Sequence, residues 1–222
     1  MATKIKNGEK VLFIGDSITD CGRRGTERPL GAGYVKLFSD FLIACEPEKK
    51  VEIINKCISG DNSIGLLNRW TDDVLRHEPD WLSIKIGIND LHGYLGDPAN
   101  GISPEKFEAA CQKIMKHTRE SLPRCRILLV QPFYISRESS KDSFRRSVLE
   151  ILPRYLETVE YLSRQYKTRL LKTHAMFQNL LKYYEPDTFC NEPVHPNLTG
   201  HIAIASSVYD VFCQPPETRG KS

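Results

Sequence analysis

Four short polar segments carry the residue types that acyl-transfer chemistry needs. Gly15-Asp16-Ser17 follows the apolar run KVLFI, Ile58-Ser59-Gly60-Asp61-Asn62 comes shortly after VEIIN, and Gly87-Ile88-Asn89-Asp90 follows WLSIKI; Glu192-Pro193-Val194-His195 stands near the C-terminal end. A serine at a strand-to-helix turn exposes its hydroxyl and sets its own backbone N–H at a helix start, which suits a nucleophile whose product is an oxyanion. Gly60 allows close backbone approach, so its N–H can donate to that oxyanion. The Asn89 side chain can supply a further donor. His195 can take the proton from Ser17 and return it to a leaving group. Glu192, three residues before it, can reach the far ring nitrogen and fix the tautomer. Taken singly, each segment also has an ordinary reading: a turn and helix cap, a polar loop, a solvated histidine before proline. Four of them in this order, each at a strand end or helix start, do not read as independent turns.

The elements that must position these residues are visible as periodicity. Lys10–Ile14, Val51–Asn55, Trp81–Ile86, Arg126–Gln131 and Arg169–Lys172 read as short buried strands. Between them run helical patterns: Tyr34 to Leu42, Ile64 to Arg76, a helix started by Ser103-Pro104-Glu105, a long stretch from Ser143 to Tyr166, and helices near Ala175–Tyr184 and Thr199–Phe212. Pro153 is expected to kink or split the long stretch. Strands alternating with helices imply a parallel sheet covered by helices on both faces. In such sheets ligands bind beyond the carboxyl ends of the strands, which is where the four polar segments fall.

The chain has 222 residues, enough for one domain, expected over residues 1–213 with a polar tail at 214–222. With 40% hydrophobic and 27% charged residues it is a globular composition. A net charge of +3, spread along the chain, provides no basic stripe for nucleic acid. No run of apolar residues is long enough for a membrane span, and the N-terminal apolar run is too short and too soon interrupted for a signal peptide. The seven cysteines are odd in number and widely spaced, with no C-x-x-C, so reduced, mostly buried thiols in a cytoplasmic protein are expected, with neither a disulfide framework nor a zinc site. The Asn197-Leu198-Thr199 sequon is read as chance. There is no G-x-G-x-x-G after a strand, no P-loop, no G-x-S-x-G and no H-E-x-x-H. No metal and no cofactor are expected.

On these residues the sequence resembles the SGNH, or GDSL-type, serine hydrolases over almost its whole length, from Val11 to about Phe212. FIGDSITD matches the first block of that family, with Ser17 as nucleophile. NKCISGDN resembles the second, with Gly60 as oxyanion donor; GIND is the third, with Asn89 as donor; EPVH stands for the D-x-x-H of the fourth. The segments GEKVLFIGDSITDCGR, LGAGYV, PDWLSIKIGIND, PFYI and VHPNLTGH are similar to a cytoplasmic bacterial subgroup that includes esterases deacetylating xylo-oligosaccharides. The resemblance implies a flavodoxin-like three-layer α/β/α sandwich on a five-stranded parallel sheet. It also implies metal-independent hydrolysis of short esters, O-acetyl groups on oligosaccharides above all. Oligomers occur in the subgroup, but the sequence itself shows none. Two departures stand out. Cys57 replaces the usual Gly of the second block, and Glu192 replaces the usual Asp of the fourth. Glu192 is expected to orient His195, with Asp187, a water or a backbone carbonyl as alternatives. Asp16, Arg23, His92 and Tyr94 are further candidates for lining the substrate pocket, Asp16 also as a brace of the Ser17 turn; His201, Trp70 and Trp81 are expected to be structural. Two other functions share the features: a thioesterase, arylesterase or lysophospholipase using the same site, and a non-catalytic carbohydrate-binding protein on the same fold.

Overall fold

The computed structural model describes residues 2–214; the expected polar tail beyond Gln214 lies outside the described residues. Five strands form one parallel sheet: β1 (Lys10–Gly15), β2 (Glu52–Asn55), β3 (Trp81–Lys85), β4 (Arg126–Val130) and β5 (Arg169–Leu171), in the order β2-β1-β3-β4-β5. The reversal of strand order beside β1 makes a topological switch point at its carboxyl end. β1 and β3 are the two best-covered strands, and their residues are buried on both sides, as a parallel sheet between helical layers requires.

Nine α-helices complete the described chain: α1 (Ser17–Asp20), α2 (Tyr34–Cys45), α3 (Ser63–Asn68), α4 (Trp70–Asp73), α5 (Ile88–Gly96), α6 (Pro104–Ser121), α7 (Phe144–Tyr166), α8 (Thr173–Leu180) and α9 (Leu198–Cys213). Helices α2 and α9 pack together on one face of the sheet, and α3, α6 and α7 on the other. On the first face Phe13 of β1 meets Tyr34 and Phe38 edge-on, and Phe212 packs against Phe38 and Trp81. On the second, Phe107 of α6 lies against Tyr155 of α7, and Trp70 is buried with its indole N–H on Thr118. Trp81 is equally buried, so both tryptophans serve packing. Each of these buried aromatic side chains removes roughly 150–250 Å² from water.

Local sequence explains most boundaries. Ser103 caps α6 through the Lys106 N–H, with Pro104 at the first helical position; Ser143 caps α7 and Asn197 caps α9 in the same way. The Asn197 amide also donates to the Asp187 and Thr188 carbonyls, so its side chain is a structural fixture. Two expectations change and one helix is new. The pattern at 64–76 is broken at Arg69 into α3, α4 and a short 3-10 turn at Leu75–His77. Pro153 does not split α7: it sits on the exposed side, where the carbonyl it frees can face water, while Val148, Leu152, Tyr155 and Val159 bury the other side. Residues 88–96, where the sequence marks no helix, form α5; Gly93 and Gly96 weaken the helical pattern, and its start is a glycine at φ +127° rather than a capping side chain. No disulfide joins cysteines among the described residues, and five of the seven are buried. No helix among the described residues is long and apolar enough to cross a membrane.

Candidate active site

Ser17 opens α1 directly after β1. The Asp16 carboxylate caps that turn by accepting from the Ile18 N–H at 3.1 Å. Asp16 is fully buried and paired with the equally buried Lys85 of β3, whose Nζ lies 2.9 and 3.2 Å from its two oxygens. This corrects the expectation that Asp16 lines a substrate pocket: it has no exposed surface and acts as the brace of the serine turn. Gly15 immediately before it has φ +158°, and a Cβ there would stand 2.0 Å from the Lys85 carbonyl, so the close passage of β1 along β3 requires glycine.

Ser17 Oγ lies 2.8 Å from His195 Nε2. The Glu192 carboxylate holds the other side of the ring, in a very short contact with Nδ1. The same carboxylate accepts the backbone N–H of His195 at 2.7 Å and of Val194 at 2.9 Å. A carboxylate at Nδ1 makes that nitrogen the donor, which leaves the Nε2 lone pair facing the serine hydroxyl. Asp187 gives its backbone carbonyl to Asn197 and has no hydrogen bond to His195 among the described residues, so it is not the orienting acid. The loop carrying His195 is pinned to the segment after β4 by the Ile135 N–H on the Pro193 carbonyl, and to itself by a bridge between Cys190 and Pro196.

Gly60 occupies the third position of a turn closed by the Asp61 N–H on the Ile58 carbonyl at 3.2 Å, with φ +80°. A left-handed residue at that position favours glycine. The Ser59 N–H is taken by Asp20 at 2.9 Å, while the N–H groups of Gly60 and Ser17 have no partner among the described residues. Asn89, in the first turn of α5, donates one amide proton to the Asp61 carbonyl at 2.8 Å, which orients the amide and leaves its second proton available. The next residue, Asp90, is buried and accepts both the N–H and the hydroxyl of Ser63 at the start of α3. Burial raises its carboxyl to about 6 against the lowering effect of those hydrogen bonds.

Cys57, the first departure from the family pattern, is fully buried. Its N–H donates to the Asn55 side chain, and its carbonyl accepts from Arg23 Nε at 2.6 Å. Arg23 therefore braces the Gly60 loop. His92 does border the site: its ring stands edge-on to Tyr134 and Phe144, and the charges of Glu192 and His195 act on it. Burial is the largest influence and lowers it below the usual histidine range. Tyr94 is half-buried near Tyr155, with no hydrogen bond to Ser17 or His195 among the described residues. His201 is structural: Nδ1 accepts the Tyr34 N–H, Nε2 meets Cys21 Sγ at 3.3 Å, and burial pushes it down to about 4. Sequence reasoning missed Lys85, Arg69, Asp61 and Asp20, whose bonds reach across strands and loops. The polar Lys85 within the apolar run WLSIKI was the one visible signal among them.

The arrangement can perform acyl transfer: a hydroxyl nucleophile, a base of fixed tautomer, and donors on three adjacent segments. Glu192 and His195 keep about half of their side-chain surface exposed, so the nucleophile faces open solvent rather than a closed tunnel.

Comparison with known proteins agrees with this reading. The chain is 35% identical over 210 residues to an acetylxylan esterase of Geobacillus stearothermophilus, covering 91% of this chain and 93% of that one. Two solved structures of that esterase, described as catalytic mutants, are similar throughout. One, with an aspartate replaced by alanine, is 33% identical with a TM-score of 0.84 and covers 96% of this chain and 97% of its own. The other, with a serine replaced by alanine, is 34% identical with a TM-score of 0.82 and covers 94% and 96%. The family model for GDSL-like lipases and acylhydrolases matches residues 13–203, and the chain belongs to that family of ester hydrolases.

Proposed function

We propose that this ester hydrolase removes short acyl groups, acetate above all, from acetylated xylo-oligosaccharides by way of an acyl-enzyme on Ser17. The observation that carries the proposal is the 2.8 Å contact of Ser17 Oγ with a His195 ring held by Glu192 on its far nitrogen. Ser17 Oγ attacks the ester carbonyl as His195 Nε2 takes its proton. The oxyanion of the tetrahedral intermediate is met by the N–H groups of Ser17 and Gly60 and by the free amide proton of Asn89. His195 then protonates the departing sugar oxygen, and the acetyl group stays on Ser17. Water, activated by the same imidazole, releases acetate. Glu192 carries the orienting role that an aspartate has in the family pattern. The exposed His195 and Glu192 suit an ester whose alcohol part is bulky and whose acyl part is small. Its mostly buried cysteines, with no disulfide among the described residues, fit a reducing, cytoplasmic setting.

The test is hydrolysis of p-nitrophenyl acetate and of acetylated xylo-oligosaccharides by the wild type and by Ser17→Ala, purified identically. The expected result is a Ser17-dependent rate on both, falling by on the order of 10⁴-fold or more in the variant, and lower on p-nitrophenyl esters of longer acids. Equal rates in the two proteins would overturn the proposal in favour of a carbohydrate-binding role.

A further inference from the structure

We infer that Arg69 is the positioning residue of the oxyanion hole, setting from behind the peptide segments that carry its donors. The inference rests on the esterase reading above. Arg69 stands at the break between α3 and α4, with φ −102° and ψ 6°, and its side chain is only 15% exposed. Its guanidinium makes four hydrogen bonds and one further ion-pair contact. Nε and one terminal nitrogen hold the same Asp61 carboxylate oxygen at 2.7 and 2.6 Å. That nitrogen also donates to the Gly15 carbonyl at 3.3 Å. The other terminal nitrogen donates to the Lys56 carbonyl at 2.7 Å and to Asp73 at 2.9 Å.

The positions of these acceptors matter more than their number. Gly15 lies two residues before Ser17. Lys56 opens the loop that ends at Gly60. Asp61 follows Gly60, and its own carbonyl is the group that orients the Asn89 amide. One rigid, planar cation thus joins the supports of all three proposed oxyanion donors. Asp73, the fourth acceptor, lies outside the site and pairs with Arg69 from the next helix. A lysine has a single nitrogen with three donors and cannot span carbonyls from two loops while chelating a carboxylate. Arg69 touches none of the reacting groups, so its effect passes through the hole alone.

The experiment is a double-mutant cycle on the Ser17-dependent rate with p-nitrophenyl acetate. Arg69→Met is expected to lower kcat by about 10²-fold, the lower end of the loss for an oxyanion donor, with KM within about 3-fold and the pH dependence of the rate unmoved, since His195 is held by Glu192. In the Asn89→Ala background the same substitution should cost less than in the wild type, by about 3-fold or more, because one of the three donors it positions is already gone. In the Glu192→Gln background it should keep its full effect, because that change acts on the imidazole. Equal losses in both backgrounds would show a general loosening and overturn the inference, as would a full rate in Arg69→Met. Should Arg69→Met fail to give a native circular dichroism spectrum, Arg69→Lys carries the same cycle. A chain with no Ser17-dependent rate overturns the esterase reading itself. A Ser17-dependent rate indifferent to Arg69 overturns only the role of Arg69.

Discussion

Replacing Lys85 by Met should strand a charge directly behind the nucleophile. Lys85 and Asp16 are 1% and 0% exposed, and the ammonium lies 2.9 and 3.2 Å from the two carboxylate oxygens. The remaining partner of the Asp16 carboxylate is the Ile18 N–H. Removing one member of a buried pair typically costs about 3–5 kcal/mol, whereas replacing both by neutral groups is often close to neutral. For a chain of this length 1 kcal/mol corresponds to about 2–4 °C in Tm. Lys85→Met is therefore expected to lower Tm by roughly 6–20 °C. The double variant Asp16→Asn/Lys85→Met should recover most of that loss, since the Asn side-chain oxygen can still accept the Ile18 N–H and no charge is buried. Urea unfolding provides the free energies. A Lys85→Met protein within about 1 kcal/mol of wild type, or a double variant no better than the single, would refute the pair as the brace of the Ser17 turn.

Two other outcomes are expected. Glu192→Gln should lower kcat by up to ~10⁴-fold, as loss of the orienting carboxylate does in a serine protease, while Asp187→Asn leaves the rate near wild type; comparable losses in the two variants, measured on p-nitrophenyl acetate, would remove Glu192 from its assigned role. Asp90 concerns stability. Its carboxyl is raised by burial from 3.8 to about 6, above its value in the unfolded chain, so its contribution to stability is fully present below pH ~4 and is lost as pH rises through about 6. The change is worth up to ~3 kcal/mol. Urea melts from pH 4 to 7 should show the stability of wild type relative to Asp90→Asn declining over that window; a constant difference would exclude this assignment.

The strands and the four polar segments were legible because each signal is local. An apolar run followed by Gly-Asp-Ser needs no distant partner to be read, and Ser103-Pro104 or Ser143 announce a helix within four residues. What stayed hidden depends on pairings between distant residues. Lys85 in WLSIKI looks like a misplaced surface residue until β1 and β3 align Gly15 with Lys85 and bring Asp16 over it. Arg69 and Asp73 have the spacing of an ordinary solvated helical pair; only the folded loops bring the Gly15 and Lys56 carbonyls and the Asp61 carboxylate to the same guanidinium. Helix α5 was missed because it starts on a glycine with positive φ and carries two more glycines, so neither cap nor periodicity marks it.

The Asp-to-Glu change shows how the two kinds of information meet. From sequence, an added methylene between backbone and carboxylate leaves the orientation of His195 open. In the structure the carboxylate folds back over its own loop. One oxygen accepts the His195 N–H and meets Nδ1, and the other accepts the Val194 N–H. Two backbone donors fix the carboxylate before it reaches the ring, so the extra length is taken up inside the three-residue turn. A hydrogen-bonded carboxylate loses little further entropy in holding the imidazole, which is the property an orienting acid needs. The identity of the acid can therefore vary, provided that the turn ahead of His195 supplies those two N–H groups.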